Sequence, residues 1–240
     1  MAKKLLITEK PSVAMEFAKV LKANGIRKNG YMESNEWVIT WCVGHLVTMS
    51  YPEKYDEKYK YWNLATLPFM PKDYKYEVIK SVENQFNIIK TLFERTDIDT
   101  IYVGTDSGRE GEYIYRLVAQ MTNVQGKSQK RIWIDSQTEE EIRRGINEAK
   151  QLEDYDSLAD SAYLRAKEDY LIGINFSRLL SVIYGKRIAN NIGEDRVVIS
   201  VGRVMTCVLG MVVKREREIR NFVKTKYFKI VGEFGEENNN

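Results

Sequence analysis

Apolar positions along the chain fall into two periods, and their alternation sets the expected architecture. Lys4 to Thr8 carries the unbroken run Leu5-Leu6-Ile7 and predicts a buried strand. Glu9-Lys10-Pro11-Ser12 is a turn with Pro11 at a favourable first-turn position. Val13, Phe17, Val20 and Leu21 then stripe one face of a helix. Tyr31–Met32 and Glu36–Cys42 read as a hairpin turning at Ser34-Asn35, with Trp37, Ile39 and Trp41 alternating with Val38, Thr40 and Cys42. Met49 to Tyr76, rich in Tyr, Lys and Pro and weakly periodic, reads as a long ordered loop. Val82, Phe86, Ile89 and Phe93 mark a helix ending before Asp97. Thr100-Ile101-Tyr102-Val103 is a second buried strand, and Ile114, Leu117, Val118 and Met121 follow at helical spacing. After a polar loop, Asn123 to Gln129, a strand is expected over Arg131–Ile134, and Thr138 caps a helix that opens Glu139-Glu140-Glu141. Strands alternating with helices predict an α/β domain with a mostly parallel sheet over residues 1–150.

Beyond Lys150 the character changes, and no convincing strand appears until Val197. Leu158, Ala162, Ala166, Leu171, Ile174 and Leu179 predict a long helix from about Ser157 to Tyr184, and Val201 to Asn221 a second one. These make residues 151–225 a mainly helical segment. Tyr227 to Glu233 alternates like a strand with nothing evident to pair with, so 226–240 reads as the start of a further domain and the chain as a piece of something longer.

Composition narrows the setting more than the chemistry. The 240 residues are 43% hydrophobic and 30% charged with a net charge of +3, enough for one large domain or two modest ones. Cys42 and Cys207 lie far apart and form no metal-ligand pair; with no signal peptide they point to a reducing, cytoplasmic setting. No apolar run approaches a membrane span. Charge is uneven, however. Tyr163 to Arg220 holds eleven basic and six acidic residues, a local excess of five positive charges against three for the whole chain. Such local excess drives phosphate binding. A solvated helix face accounts for the Lys214–Glu218 cluster but fits Arg165 and Arg178, set among apolar neighbours, less well.

The candidate chemistry centres on Gly104-Thr105-Asp106-Ser107-Gly108-Arg109-Glu110-Gly111-Glu112. This is a strand-to-helix turn, the place where open α/β sheets bind ligands. Asp106 falls at the strand's carboxyl end, and Glu110 and Glu112 at the helix start. Three carboxylates so close repel unless they share a cation, and hard oxygens suit Mg²⁺. The helix dipole alone explains Glu110 and Glu112 but not two glycines interleaved with Asp106 and Arg109. The first strand ends in Glu9, so the two carboxyl ends meet if the strands are parallel neighbours. His45, the lone histidine, is weighted as structural rather than catalytic. The aromatics and lysines of the Met49–Tyr76 loop either touch a nucleic acid or pack on their own domain.

These residues resemble a known family. The first half resembles a Toprim domain, the Rossmann-like metal-binding fold shared by topoisomerases, primases and some nucleases, marked by Glu9 and by a later acidic turn. The longer resemblance is to type IA DNA topoisomerases of the topoisomerase III branch. It runs through Thr8-Glu9-Lys10-Pro11-Ser12, Val43-Gly44-His45-Leu46, Asp56 to Pro71, Asp106 to Glu112, Ala166 to Arg178 and Ser200-Val201-Gly202-Arg203-Val204, in the family's order. The resemblance implies cleavage and religation of single-stranded DNA by transesterification, with Mg²⁺ (Mn²⁺ substituting) and without ATP. It implies Glu9, Asp106 and Glu110 as metal ligands and Glu9 as acid/base at the leaving 3′ oxygen. Lys10 would steady the scissile phosphate, and Arg109 joins the catalytic set. Lys58, Arg165, Asp169, Arg178, Ser200, Val201, Gly202, Arg203 and Val204 fall where the family contacts DNA.

Two departures qualify it. The family's Asp-x-Asp is Asp106-Ser107-Gly108 here, so one carboxylate is missing, and Glu110 or Glu112 is the one available to compensate. The nucleophilic tyrosine, in a Tyr-Pro-Arg or Phe-Tyr-Pro-like context, has no match; Tyr51-Pro52-Glu53 is a decoy without the following arginine. The expectation is therefore the N-terminal metal- and DNA-binding portion of a topoisomerase, unable to cleave DNA without its remaining domains. The alternatives are another Toprim nuclease or primase, and a non-catalytic Toprim module that binds DNA.

Overall fold

The computed structural model describes residues 2–23, 25–233 and 235. Its centre is β1 (Lys3–Thr8), which pairs in parallel on one side with β4 (Trp37–Trp41) and on the other with β7 (Ile98–Gly104). β2 (Ile26–Lys28) and β3 (Tyr31–Glu33) extend the β4 side as an antiparallel ribbon. On the β7 side lie parallel β8 (Ser128–Arg131) and antiparallel β9 (Lys150–Gln151), giving the order β2-β3-β4-β1-β7-β8-β9. The expected hairpin is present. β2 escaped the periodicity because Ile26-Arg27-Lys28 is an exposed edge with no apolar alternation.

Alternation along β1 divides the core. Leu5 and Ile7 face α2 (Glu83–Glu94) and α3 (Arg109–Thr122), where Phe86, Ile89, Leu117 and Val118 pack. Leu6 faces α1 (Pro11–Val20) and α4 (Glu139–Asn147), where Phe17, Val13 and Ile142 pack. The run Leu5-Leu6-Ile7 is apolar throughout because both faces of the sheet are covered.

The strand expected at Arg131–Ile134 lies three residues earlier. The polar residues Ser128, Gln129 and Lys130 pair with Thr100, Ile101 and Tyr102, while Ile132 and Ile134 leave the sheet to pack against the α1/α4 core. Near a sheet edge, backbone pairing tolerates polar side chains, and the apolar pair marked the exit from the strand instead of its body.

The Met49–Tyr76 loop is closed at its base by a two-stranded sheet of β5 (Val47–Met49) and β6 (Tyr76–Val78). Buried Phe69 anchors it, with Tyr55, Tyr59 and Tyr170 edge-on around its ring. Asn175 fixes the backbone there, accepting from Phe69 N–H at 2.6 Å and donating to Phe69 C=O at 3.0 Å. Tyr55, Tyr59 and Phe69 therefore pack on their own chain, while Tyr51, Tyr61 and the lysines stay outside.

The helical segment begins with α5 (Asp156–Ile192), 37 residues long and eight longer at its carboxyl end than expected, stopping at Gly193 in the left-handed conformation. The chain then runs back along α5 as an extended segment, with no sheet partner among the described residues. Ser181 Oγ accepts from Ile199 N–H and Ser177 Oγ from Val201 N–H, each at 2.8 Å. Gly185 permits the approach: a Cβ there would stand 2.7 Å from the Val197 carbonyl oxygen. α6 (Arg203–Arg220) follows, exposed along its length. The strand expected at Tyr227–Glu233 is absent: the segment forms no helix and pairs with no strand among the described residues, with Phe228 and Ile230 at least 95% exposed. An alternating pattern makes a strand only where an edge accepts it.

Candidate functional site

β1 and β7 are adjacent and parallel, with Thr8 opposite Gly104, so the two turns that follow them face each other at one end of the sheet. This brings Glu9, Lys10 and Asp106 together. Lys10 Nζ lies 3.5 Å from Glu9 Oε1 and 3.7 Å from Asp106 Oδ2. Glu9 is nearly enclosed, and its Oε2 is buried without a hydrogen-bond partner. A buried carboxylate oxygen left unsatisfied by protein donors is what a hard cation binds, so these oxygens suit Mg²⁺ in chemistry. Beside them, a crevice of about 160 Å³ runs between Asp106 and Ser107 and the Asp135–Gln137 loop.

The turn is held from below. Arg131, fully buried on β8, donates through Nη1 to the carbonyls of Val103 and Thr105 at 3.1 and 2.7 Å, and through Nη2 to that of Asp106 at 2.8 Å. Burial pulls its pKa down while the Glu112 charge opposes that shift. Gly111 lets the first turn of α3 rest on Asp106: a Cβ there would fall 2.1 Å from the Asp106 carbonyl oxygen. Ser107 Oγ donates to Ile134 C=O at 2.8 Å and accepts from its N–H at 3.0 Å, tying the turn to the strand exit after β8.

The acidic residues of the turn divide in role. Glu112 does not compensate for the missing carboxylate. Its side chain points into the core, with Oε1 taken by Arg116 and Oε2 by Arg131, each at 2.9 Å. Glu110 is on the surface, and its Oε1 accepts from His45 Nε2 at 2.6 Å. The histidine weighted as structural thus touches an expected ligand. Among the described residues, no group of three His, Cys, Asp or Glu side chains converges as a metal site. Arg109 opens α3 and is exposed.

The expected DNA contacts lie on α5, α6 and the loop. Arg203 pairs with Asp169 at 2.8 Å and Glu168 at 3.1 Å, and Arg165 stands 4.0 Å from Asp169, so these charges form one network where α6 leaves α5. Ser200 to Gly202 lead into it, and Val204 is exposed. Lys58 pairs with Asp56 at 3.0 Å on the loop surface. Arg178 is placed differently. Only 3% exposed, it donates to Tyr59 C=O at 2.8 Å and lies over the Trp62 ring, and its Nε has no partner. Burial lowers its pKa. Its visible work is to hold the loop on α5. Sequence reasoning missed Arg131; the only trace was a charge directly before the apolar Ile132.

Comparison with known proteins bears on both halves. The Toprim domain family model matches residues 4–136, and the DNA topoisomerase family model matches 153–240. The chain is 40% identical over 230 residues to the DNA topoisomerase 3 of Bacillus thuringiensis (strain Al Hakam) and 37% identical over 230 residues to that of Bacillus subtilis (strain 168). Each match covers 96% of this chain and 30% of the relative, so the chain spans under a third of the length of the curated relatives it matches. No helix among the described residues is long and apolar enough to cross a membrane.

Proposed function

This chain belongs to the Toprim family, and from that premise we propose that it is the metal- and DNA-binding portion of a type IA DNA topoisomerase of the topoisomerase III branch. The observation that carries the reading is the meeting of Glu9, Lys10 and Asp106 at the ends of two parallel strands, with a buried Glu9 oxygen left unpartnered. Glu9 and Asp106 would hold Mg²⁺, or Mn²⁺ in its place; Glu110, close by on α3, would reach it after leaving His45. The ion would supply charge stabilisation at the phosphodiester. Lys10 would steady the scissile phosphate while the tyrosine oxygen bonds to phosphorus and the bond to the 3′ oxygen breaks, with Glu9 as acid/base passing the proton that the tyrosine hydroxyl loses to the departing 3′ oxygen. That tyrosine would come from the remaining domains of the longer protein, and no ATP is required because the phosphotyrosyl ester conserves the bond energy. Single-stranded DNA would lie along Arg165, Arg203 and the Ser200–Val204 segment, with Lys58 at its flank, in the cytoplasm.

The test is single-stranded DNA binding and plasmid relaxation by this polypeptide. Mg²⁺-assisted DNA binding that is lost in Glu9→Gln and Asp106→Asn, without relaxation, is expected. Mg²⁺-dependent relaxation would overturn the external nucleophile. Nicking that leaves free ends would favour a Toprim nuclease, and DNA binding indifferent to Mg²⁺ and to both substitutions a non-catalytic module.

A further inference from the structure

We propose that Lys10 is the resident cation of the site: in the DNA-free protein its ammonium occupies the place between Glu9 and Asp106, and it gives up that place to the metal when a DNA phosphate draws it away. The inference rests on the reading of Glu9 and Asp106 as metal ligands.

The geometry supports it in three ways. Lys10 Nζ is shared between the carboxylates, 3.5 Å from one and 3.7 Å from the other, and forms a hydrogen bond with neither. It balances their charge without fixed directional bonds, so it can leave. Gly108 removes a third carboxylate from the turn, Glu112 is engaged by two arginines, and Glu110 is engaged by His45. Two negative charges thus face one ammonium, and a divalent ion must meet its positive charge at close range. Finally, the unpartnered Glu9 Oε2 shows that the lysine leaves an acceptor unsatisfied. The Lys10 side chain is 56% exposed, so a phosphate arriving from solvent can reach it. A phosphate that binds the ammonium would uncover both carboxylates and add its own oxygens, which Mg²⁺ prefers to an all-protein cage. DNA and metal would then bind with positive coupling, each raising the affinity for the other.

The experiment is a Mn²⁺ titration followed by electron paramagnetic resonance on the chain and on Lys10→Met, Lys10→Arg and Glu9→Gln, with and without a single-stranded oligonucleotide. Without DNA, Lys10→Met should bind Mn²⁺ about tenfold more tightly than the parent, the size expected for removing one charge at contact distance in a partly hydrated site. Lys10→Arg, which keeps the charge, should stay within a few-fold of the parent. The oligonucleotide should tighten Mn²⁺ binding to the parent by a larger factor than to Lys10→Met, whose carboxylates are already uncovered and which gains only the phosphate oxygens. Equal or weaker binding by Lys10→Met, with binding still lost in Glu9→Gln, overturns the role of Lys10 and leaves the metal site standing. Absence of saturable binding in every protein, oligonucleotide present, overturns both.

Discussion

Arg131 and Glu112 form an ion pair with no exposure on either side chain, Nε to Oε2 at 2.9 Å. The pair spans β8 and the first turn of α3, and the remaining Arg131 donors carry the carbonyls of Thr105 and Asp106. The carboxylate that looked like a spare metal ligand is thus the counter-charge of the residue that shapes the Asp106 turn. Removing one partner strands a buried charge. Arg131→Met or Glu112→Gln should cost about 3–5 kcal/mol in urea denaturation, and the double change Arg131→Met/Glu112→Leu less than the sum of the two. Arg131→Lys should not restore stability, because an ammonium cannot reach acceptors spread over a planar fork.

The two glycines flanking Arg109-Glu110 should respond oppositely. Gly111→Ala places a methyl 2.1 Å from the Asp106 carbonyl, so the turn must move, at about 1–3 kcal/mol and with weakened Mn²⁺ binding. A Cβ at Gly108 meets no atom within 4 Å. Gly108→Asp should therefore fold normally and, by returning a third carboxylate, tighten Mn²⁺ binding roughly tenfold. Thermal melts and the Mn²⁺ titration together separate the two effects.

These contrasts show where the sequence was legible. The Asp106 turn could be found because a strand, two glycines and a helix announce themselves through periodicity and backbone demands. The meeting of Glu9 and Asp106 was legible only as a condition, that β1 and β7 be parallel neighbours, and the structure meets it. The division between Glu110 and Glu112 did not. Two residues apart on a helix, they point to opposite sides, and only the position of Arg131 across the sheet tells which side is the core. The same limit applies to Arg178, whose neighbours on α5 gave no sign that a loop more than a hundred residues earlier would cover it. Tyr227–Glu233 erred in the other direction, since a strand pattern cannot report whether an edge is there to receive it.

Glu33 ties the sheet edge to α2, accepting from Lys3 at 2.7 Å, Lys28 at 2.9 Å and Arg95 at 2.6 Å. Arg95 first, then Lys3 and Lys28, hold its carboxyl far below the ordinary glutamate value of 4.5. Because the folded value is depressed, the stabilisation is fully present above about pH 4.5 and is lost as pH falls further through the folded value. Glu33→Gln should lower stability by about 1–3 kcal/mol at pH 7 and flatten the acid limb of the stability–pH curve measured by urea denaturation.

Phe69 offers a test of how the loop serves the proposed DNA-binding surface. Its ring is 1% exposed and is held by Tyr55, Tyr59 and Tyr170, and its backbone by Asn175. The same loop supplies the Tyr59 carbonyl that holds Arg178 and carries Lys58 on its surface. Phe69→Ala should destabilise by about 3–5 kcal/mol through the lost burial and the cavity left behind. Asn175→Ala removes only the backbone tether and should cost about 1–3 kcal/mol. If the loop acts as a rigid platform for Lys58, Asn175→Ala should also weaken single-stranded DNA binding and speed hydrogen exchange across residues 50–75 while leaving Mn²⁺ affinity at Glu9 and Asp106 unchanged. Faster exchange with undiminished DNA binding would mean that the loop only covers α5, and that Arg178 and its aromatic neighbours serve the packing alone.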